Sequence, residues 1–323
     1  MTRIGVLGGG SWGVALAQLC AVQGHGTMLW ARSAEAVQSI DAAHRSDYLP
    51  GVVLHPALAA STDMAALGDA EAILAVVPAQ AARGVLEHLA PHLAPGTPII
   101  LCQKGVERET LALPAQVAQD AVPGHPVAVL TGPSFAVDVA TGLPTAVTIA
   151  AETMALATDL RDLLATPTFR PYPTDDLVGA QIGGAVKNVL AIACGIVVAR
   201  GMGESARAAL VARGFAEMTR LAQAMGGRAE TVAGLSGLGD LVLTCASAQS
   251  RNFALGLRIG ERGGEHGGGT VEGAASAAGT VALGRRHGVD MPISATVAAI
   301  VEGSLSVDDA ADALLQRPLR DSE

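Results

Sequence analysis

Ile4-Gly5-Val6-Leu7-Gly8-Gly9-Gly10-Ser11-Trp12-Gly13 opens the chain within a few residues of its start, and its reading decides the fold. An apolar, partly β-branched run ends directly on glycines, and a stretch with helical patterning follows at 12–23. Gly8, Gly10 and Gly13 satisfy the G-x-G-x-x-G spacing. The first glycine permits a tight turn, the second lets the backbone approach a pyrophosphate, and the third lets helix and strand pack closely. Ser11 and Trp12 stand between them at the helix start, where free N–H groups and the helix dipole favour an anion. Such a triplet also serves an ordinary glycine turn. The strand before it and the helix after it favour a dinucleotide.

Working outward, short β-branched runs at 4–7, 28–30, 73–77, 98–101, 127–131 and 146–149 alternate with helical stretches at 12–23, 79–92 and 154–165. That alternation is the pattern of a parallel sheet covered by helices. After about Asp176 the β-rich runs largely vanish. Val211, Phe215, Met218, Ala222 and Met225 recur at steps of three and four and form one apolar helical stripe. The expected plan is an α/β Rossmann-like dinucleotide-binding domain over 1–178 and an all-α substrate-binding and catalytic domain over 179–323, with ligands in the crevice between them. The stretch 262–269 is too rich in glycine for either regular element and reads as a mobile loop.

At 323 residues the chain exceeds one ordinary hydrophobic core, which agrees with two domains. Hydrophobic residues make up 50% and charged residues 16%, a balance that suits a buried globular enzyme rather than a disordered chain. The formal net charge of −9 and the lack of a dense Lys/Arg run argue against a nucleic-acid partner. Cys20, Cys102, Cys194 and Cys245 form no C-x-x-C pair and read as buried small hydrophobes in a reducing compartment. Thr2-Arg3 runs straight into the first strand, leaving no room for a signal peptide. The most apolar stretch, 189–199, is shorter than the roughly 20 residues of a membrane span. The expected location is the cytoplasm, and a homodimer stays open as its assembly. The eight histidines are scattered without metal-ligand spacing, and no G-x-S-x-G elbow follows a strand, so neither catalytic zinc nor serine hydrolysis is expected.

Roughly 20 residues beyond the glycine loop an NAD-specific site usually carries an acid for the ribose hydroxyls. Here the sequence reads Trp30-Ala31-Arg32-Ser33. A guanidinium pairs with a 2′-phosphate, so Arg32 tilts the expected cofactor toward NADP. Glu35 still leaves NAD open, as would a solvated arginine.

Several segments match one family over nearly the whole length: the glycine loop, Lys104-Gly105, Gly132-Pro133-Ser134-Phe135-Ala136, Lys187-Asn188, Ser236-Gly237-Leu238-Gly239-Asp240-Leu241-Val242-Leu243-Thr244, Ser250-Arg251-Asn252 and Val271-Glu272-Gly273. With these the chain resembles bacterial NAD(P)-dependent glycerol-3-phosphate dehydrogenase. The resemblance implies hydride exchange between NAD or NADP and the pair dihydroxyacetone phosphate and sn-glycerol 3-phosphate, in support of phospholipid synthesis. It implies that Lys187 is the proton acceptor, that Lys104 touches cofactor and substrate, and that Asp240 stands beside the catalytic lysine. Gly132, Ser134, Asn188, Thr244, Ser250, Arg251 and Asn252 fall to the substrate; Ala136, Arg251 and Glu272 fall to the cofactor.

The residues themselves support parts of this. Lys187 lies in a run otherwise so apolar that its charged form would be disfavoured, the direction a proton-exchanging lysine needs. A lysine snorkelling from a helix edge is the plainer alternative. Lys104 follows a strand at the carboxyl edge of the sheet, where ligands of such folds bind. Ser250-Arg251-Asn252 offers a hydroxyl, a guanidinium fork and an amide for a phosphate, or simply a helix cap beside a solvated arginine. Asp240 sits in a turn sequence that an Asx turn would also explain. If it opens a helix, Thr244 faces the same side. Gln103 departs from the family pattern, in which a smaller residue precedes the lysine. A ketopantoate-type or β-hydroxyacid dehydrogenase shares this architecture but not the Ser-Arg-Asn triplet. A non-catalytic dinucleotide sensor would have no use for both lysines and Asp240.

Overall fold

β1 (Arg3–Leu7) runs into Gly8, whose φ of +128° only glycine adopts without strain. The computed structural model describes residues 2–261 and 272–310, apart from the side chains at 272 and 275. After β1 come α1 (Ser11–Val22), β2 (Gly26–Trp30), α2 (Ala34–Ala43), β3 (Leu58–Ser61), β4 (Ala72–Ala75), α3 (Ala82–Leu89) and β5 (Ile99–Leu101). The same unit continues through α4 (Pro114–Ala121), β6 (Val127–Thr131), α5 (Ala136–Ala140), β7 (Thr145–Ala151), α6 (Met154–Leu164) and β8 (Phe169–Thr174). The eight strands form one sheet in the order β3-β2-β1-β4-β5-β6-β7-β8. On the α1 face, Ile4, Val6, Leu74, Ile100, Ala128 and Leu130 pack with Val14, Leu16 and Cys20 into one core built almost without aromatics.

The sheet differs from the expected one in two ways. It has β3 and β8 in addition, and β7 runs antiparallel to β6 where all-parallel pairing was expected. The reversal follows from the connection. The connection 132–144 holds only the five-residue α5, whereas a return to a parallel neighbour is usually built on a full crossover helix. Likewise the expected helix over 79–92 is interrupted: 3-10 turns flank α3, the second of them holding Pro91.

Residues through Lys104 with Ala112–Leu177 make one compact unit; Gly105–Leu111 and the chain from Val178 make the other. The second unit is helical: α7 (Leu177–Ala199), α8 (Glu204–Ala224), α9 (Ala229–Ala233), a π-helical turn (Leu235–Gly239), α10 (Asp240–Ala246), α11 (Arg251–Glu261), α12 (Glu272–Arg286) and α13 (Pro292–Val301). The glycine-rich stretch 262–269 lies outside the described residues.

The apolar stretch 189–199 proves to be part of the 23-residue α7, so shortness does not exclude a span as expected from sequence. α7 is long and apolar enough to cross a membrane by length and composition, yet 89% of its most apolar window is buried inside the protein. It is the most buried helix of its unit, and α8, α11 and α12 approach it through glycine. A Cβ at Gly195 would lie 2.8 Å from the Leu257 nitrogen on α11, and one at Gly214 of α8 would press on the Leu190 side chain. That last contact turns α8 away from the expected stripe. Its buried face is Gly214, Glu217, Met218, Leu221 and Ala222, with Val211, Phe215 and Met225 only half-buried.

Glu217 is thus an acid in an apolar seam. Its carboxylate accepts from the Ile293 N–H at 2.6 Å and from the N–H and hydroxyl of Ser294 at 3.3 and 3.1 Å, satisfying the free amides at the start of α13. Burial nevertheless outweighs these bonds and the nearby Arg220 charge, and holds the carboxyl above its ordinary range.

Candidate active site

Lys187 sits in the middle of α7 with only 7% of its surface exposed, so its ammonium must find partners inside the protein. It donates to Asp240 Oδ1 at 2.5 Å and to Thr244 Oγ1 at 2.9 Å. Asp240 is the first residue of α10 and Thr244 lies one turn on, so both face α7. The Thr244 hydroxyl spends its one proton on the Asp240 main-chain carbonyl at 2.6 Å, which leaves its oxygen as an acceptor for the ammonium. A buried, oriented amine between a carboxylate and a hydroxyl oxygen can deliver or take one proton along a fixed direction. Beyond Thr244, Cys245 is buried, and a hydrogen bond with Cys194 together with burial holds its thiol protonated; burial likewise pushes Cys20 up to about 12. These thiols are packing groups rather than nucleophiles.

Asp240 emerges from the π-helical turn. The Gly239 N–H bonds the Gly234 carbonyl five residues back, at 3.0 Å, and the Asp240 N–H bonds the Leu235 carbonyl in the same five-residue step. Ser236, within that turn, is fully buried. Its backbone lies against Gly183 of α7, where a Cβ would stand 2.8 Å from the Ser236 carbonyl carbon and 2.9 Å from Gly237 Cα.

In the first unit, the Lys104 ammonium donates to the Gly132 carbonyl at 3.4 Å, and the Ser134 hydroxyl donates to the same oxygen at 3.2 Å. Gly132 has φ +148°, and a Cβ there would be 2.9 Å from Val147 Cα, so no other residue fits. This half-buried cluster lies at the carboxyl ends of β5 and β6. Beside it two further polar side chains are buried: extending the register of β5 on β6 by two residues sets Gln103 opposite Thr131. Both amide atoms of Gln103 and the Thr131 hydroxyl have no hydrogen-bond partner among the described residues.

The glycine loop is held open at one glycine and closed at another. A Cβ on Gly13 would collide with the Gly8 carbonyl, whereas the space beside Gly10 is open. α1 starts without a side-chain cap and without an acid in its first turn, so the main-chain N–H groups around Ser11, Trp12 and Gly13 remain for an anion. Trp12 packs half-buried against the core. Arg32 is exposed just past β2, and Ala136 is the first residue of α5.

The triplet 250–252 divides its tasks. Ser250 is buried and its hydroxyl accepts from the Phe253 N–H at 3.3 Å, a helix cap for α11. Arg251 is exposed. Asn252 is buried, and its side-chain oxygen accepts from the Gly273 N–H at 2.9 Å, pinning the start of α12. A Cβ on Gly273 would also meet the Asn188 carbonyl at 2.7 Å, so α7, α11 and α12 converge there. Glu272 is the first residue of α12, but its side chain and Val271 lie outside the described residues.

Residues 3–157 match the family model described as the NAD-dependent glycerol-3-phosphate dehydrogenase N-terminus, and residues 176–312 match the corresponding C-terminus. The chain belongs to the NAD-dependent glycerol-3-phosphate dehydrogenase family. A Methylobacterium radiotolerans protein named glycerol-3-phosphate dehydrogenase (NAD(P)+) is 55% identical over 99% of this chain and 98% of its own length. A Parvibaculum lavamentivorans protein of the same name is 53% identical over 98% and 97%. The crystal structure of glycerol-3-phosphate dehydrogenase from Coxiella burnetii is 37% identical, with a TM-score of 0.92 over 98% of this chain and 99% of that one. The Rossmann-like plus helical architecture expected from the motifs holds, as does the family.

For a member of this family, sequence reasoning overlooked the residues that act through backbone. Gly183, the π-turn and Gly273 carry no chemistry-bearing pattern of their own, and Glu217, which acts through its side-chain carboxylate, gives no sign in sequence of its bonds to α13. The paired glycines Gly183-Gly184 inside an apolar helical run were the one visible sign of close approach.

Proposed function

We propose that Lys187 exchanges the proton in a reaction whose class the family fixes. The reaction is NAD(P)H-dependent reduction of dihydroxyacetone phosphate to sn-glycerol 3-phosphate, run reversibly and supplying glycerol phosphate for phospholipid synthesis. The observation that carries the proposal is the buried Lys187 ammonium held between Asp240 and Thr244. The cofactor, when bound, supplies a hydride from nicotinamide C4 to the substrate's central carbon. As the carbonyl carbon gains the hydride, its oxygen gains the Lys187 proton. The alcohol forms, and the neutral amine is reprotonated from water. Asp240 and Thr244 hold the amine on its line of transfer and offset part of the cost of its burial.

Around this step the remaining roles are proposals of the same standing. Lys104 steadies developing charge on the oxygen. Gly132 and Ser134 bind substrate polar groups, with Asn188. Arg251 takes the phosphate, with Ser250 and Asn252 holding the segment that presents it. Gly8, Gly10, Ser11, Trp12 and Gly13 hold the pyrophosphate, while Ala136 and Glu272 complete the cofactor contacts. An exposed Arg32 at the end of β2 suits a 2′-phosphate, which favours NADPH over NADH. The four buried free thiols suit the cytoplasm.

The test is a spectrophotometric assay with dihydroxyacetone phosphate and NADPH or NADH in parallel. Oxidation of both, faster with NADPH at limiting cofactor, is expected. No oxidation of either would overturn the reading, and a clear NADH preference would remove Arg32 from it.

A further inference from the structure

Two backbones touch one turn before the point where Lys187 and Asp240 meet. Gly183 precedes Lys187 by four residues on α7, and Ser236 precedes Asp240 by four residues in the π-turn that leads into α10. Residues four apart share a helix face, so the Gly183–Ser236 contact lies directly behind the Lys187–Asp240 contact. The approach at the rear is limited by main chain on both sides. A Cβ on Gly183 would overlap the Ser236 carbonyl and lie 2.8 Å from its carbon, with no flexible side chain to yield. The π-turn is itself fixed from behind, since a Cβ on Gly237 would lie 2.7 Å from the Val232 carbonyl carbon.

We propose that Gly183 is a positioning residue for the reaction, setting the separation of Lys187 and Asp240 through the Ser236 backbone. The inference rests on the reading of Lys187 as the proton-exchanging group. Any side chain at 183 must part the backbones by about 1 Å to restore ordinary van der Waals contact. The same displacement carried forward one turn stretches the 2.5 Å pair beyond hydrogen-bond reach. Loss of the carboxylate contact then leaves the amine off its line of transfer to the substrate oxygen.

The experiment compares Gly183→Ala with Gly195→Ala. The second places an equal backbone collision elsewhere on α7, against α11. Both variants should lose thermal stability. Only Gly183→Ala should lower kcat for reduction, by about 100-fold; Gly195→Ala, which presses on the helix carrying Arg251, should act on KM instead. Adding Asp240→Glu to Gly183→Ala should restore part of kcat by reaching across the gap, although Asp240→Glu alone lowers it. Should Gly183→Ala not fold, Asp240→Glu alone still decides: a fixed separation rejects the extra methylene, so near-normal turnover would overturn the proposal. A crystal structure of Gly183→Ala reads the separation without reference to activity. A Lys187–Asp240 distance beyond about 3.2 Å supports the proposal, and a shorter one overturns it. Failure of the proton-exchange reading would instead show as wild-type turnover in a Lys187 variant.

Discussion

The Nζ of Lys187 and Oδ1 of Asp240 lie 2.5 Å apart, and neither side chain is more than 9% exposed. Each charge is stabilised in the helical core by the other. Removing one partner of such a pair costs about 3–5 kcal/mol, whereas replacing both by apolar groups of similar volume is often neutral or stabilising. Asp240→Leu should therefore destabilise by that amount in chemical denaturation. The double variant Lys187→Met/Asp240→Leu should recover most of the loss while staying inactive. Equal destabilisation of the single and double variants would show that the pair is not the energetic unit.

Arg251 stands exposed at the first position of α11, beside buried neighbours that hold the helix start. With its guanidinium free to grip phosphate, Arg251→Ala should raise KM for dihydroxyacetone phosphate by about 10–100-fold, the worth of one charge-assisted hydrogen bond. Phosphate-free dihydroxyacetone, a poor substrate throughout, should be unaffected. Parallel loss on both substrates would cancel the phosphate assignment.

How far these features were legible from residues varies with their cause. The glycine loop, the helical second half and the helix face shared by Asp240 and Thr244 follow from local pattern, and pattern was enough. β8 was hidden because Phe169-Arg-Pro-Tyr-Pro-Thr174 carries two prolines, which the sheet accepts only because β8 is its edge. β3, Leu-Ala-Ala-Ser, is the opposite edge and has little β-branched character to announce it. Ser250 and Asn252 advertise phosphate chemistry by type, yet the structure spends their oxygens on backbone amides. Gly183-Gly184 hinted at a close approach, but its partner Ser236 and the place of Glu217 were illegible, because no periodicity along one helix encodes which turns meet in space.

Glu217 gives a pH dependence with a definite sign. Its folded-state carboxyl is raised above the ordinary value of 4.5, so the folded chain binds more protons than the unfolded one across that window. The contribution to stability is full below pH 4.5 and is lost as pH rises through the raised folded value. Relative to Glu217→Gln, whose side chain does not titrate, the wild type should lose stability over that rise. Melting temperatures that run parallel for the two proteins across the window would exclude a titrating Glu217.

Gln103 and Thr131 bury three polar atoms without a partner among the described residues, at the ends of β5 and β6. An unsatisfied buried polar group costs about 1–3 kcal/mol. Gln103→Met, which keeps the length and removes the amide, should stabilise the protein by about 1–2 kcal/mol in urea titration. Destabilisation would mean that the amide is satisfied in solution.

The most direct test is single-turnover reduction of dihydroxyacetone phosphate by Lys187→Ala, with NADPH affinity measured on the same protein by fluorescence. Loss of the positioned proton donor should slow turnover by about 10²–10⁴-fold while NADPH binds as tightly as before. Turnover at the wild-type rate would contradict the account.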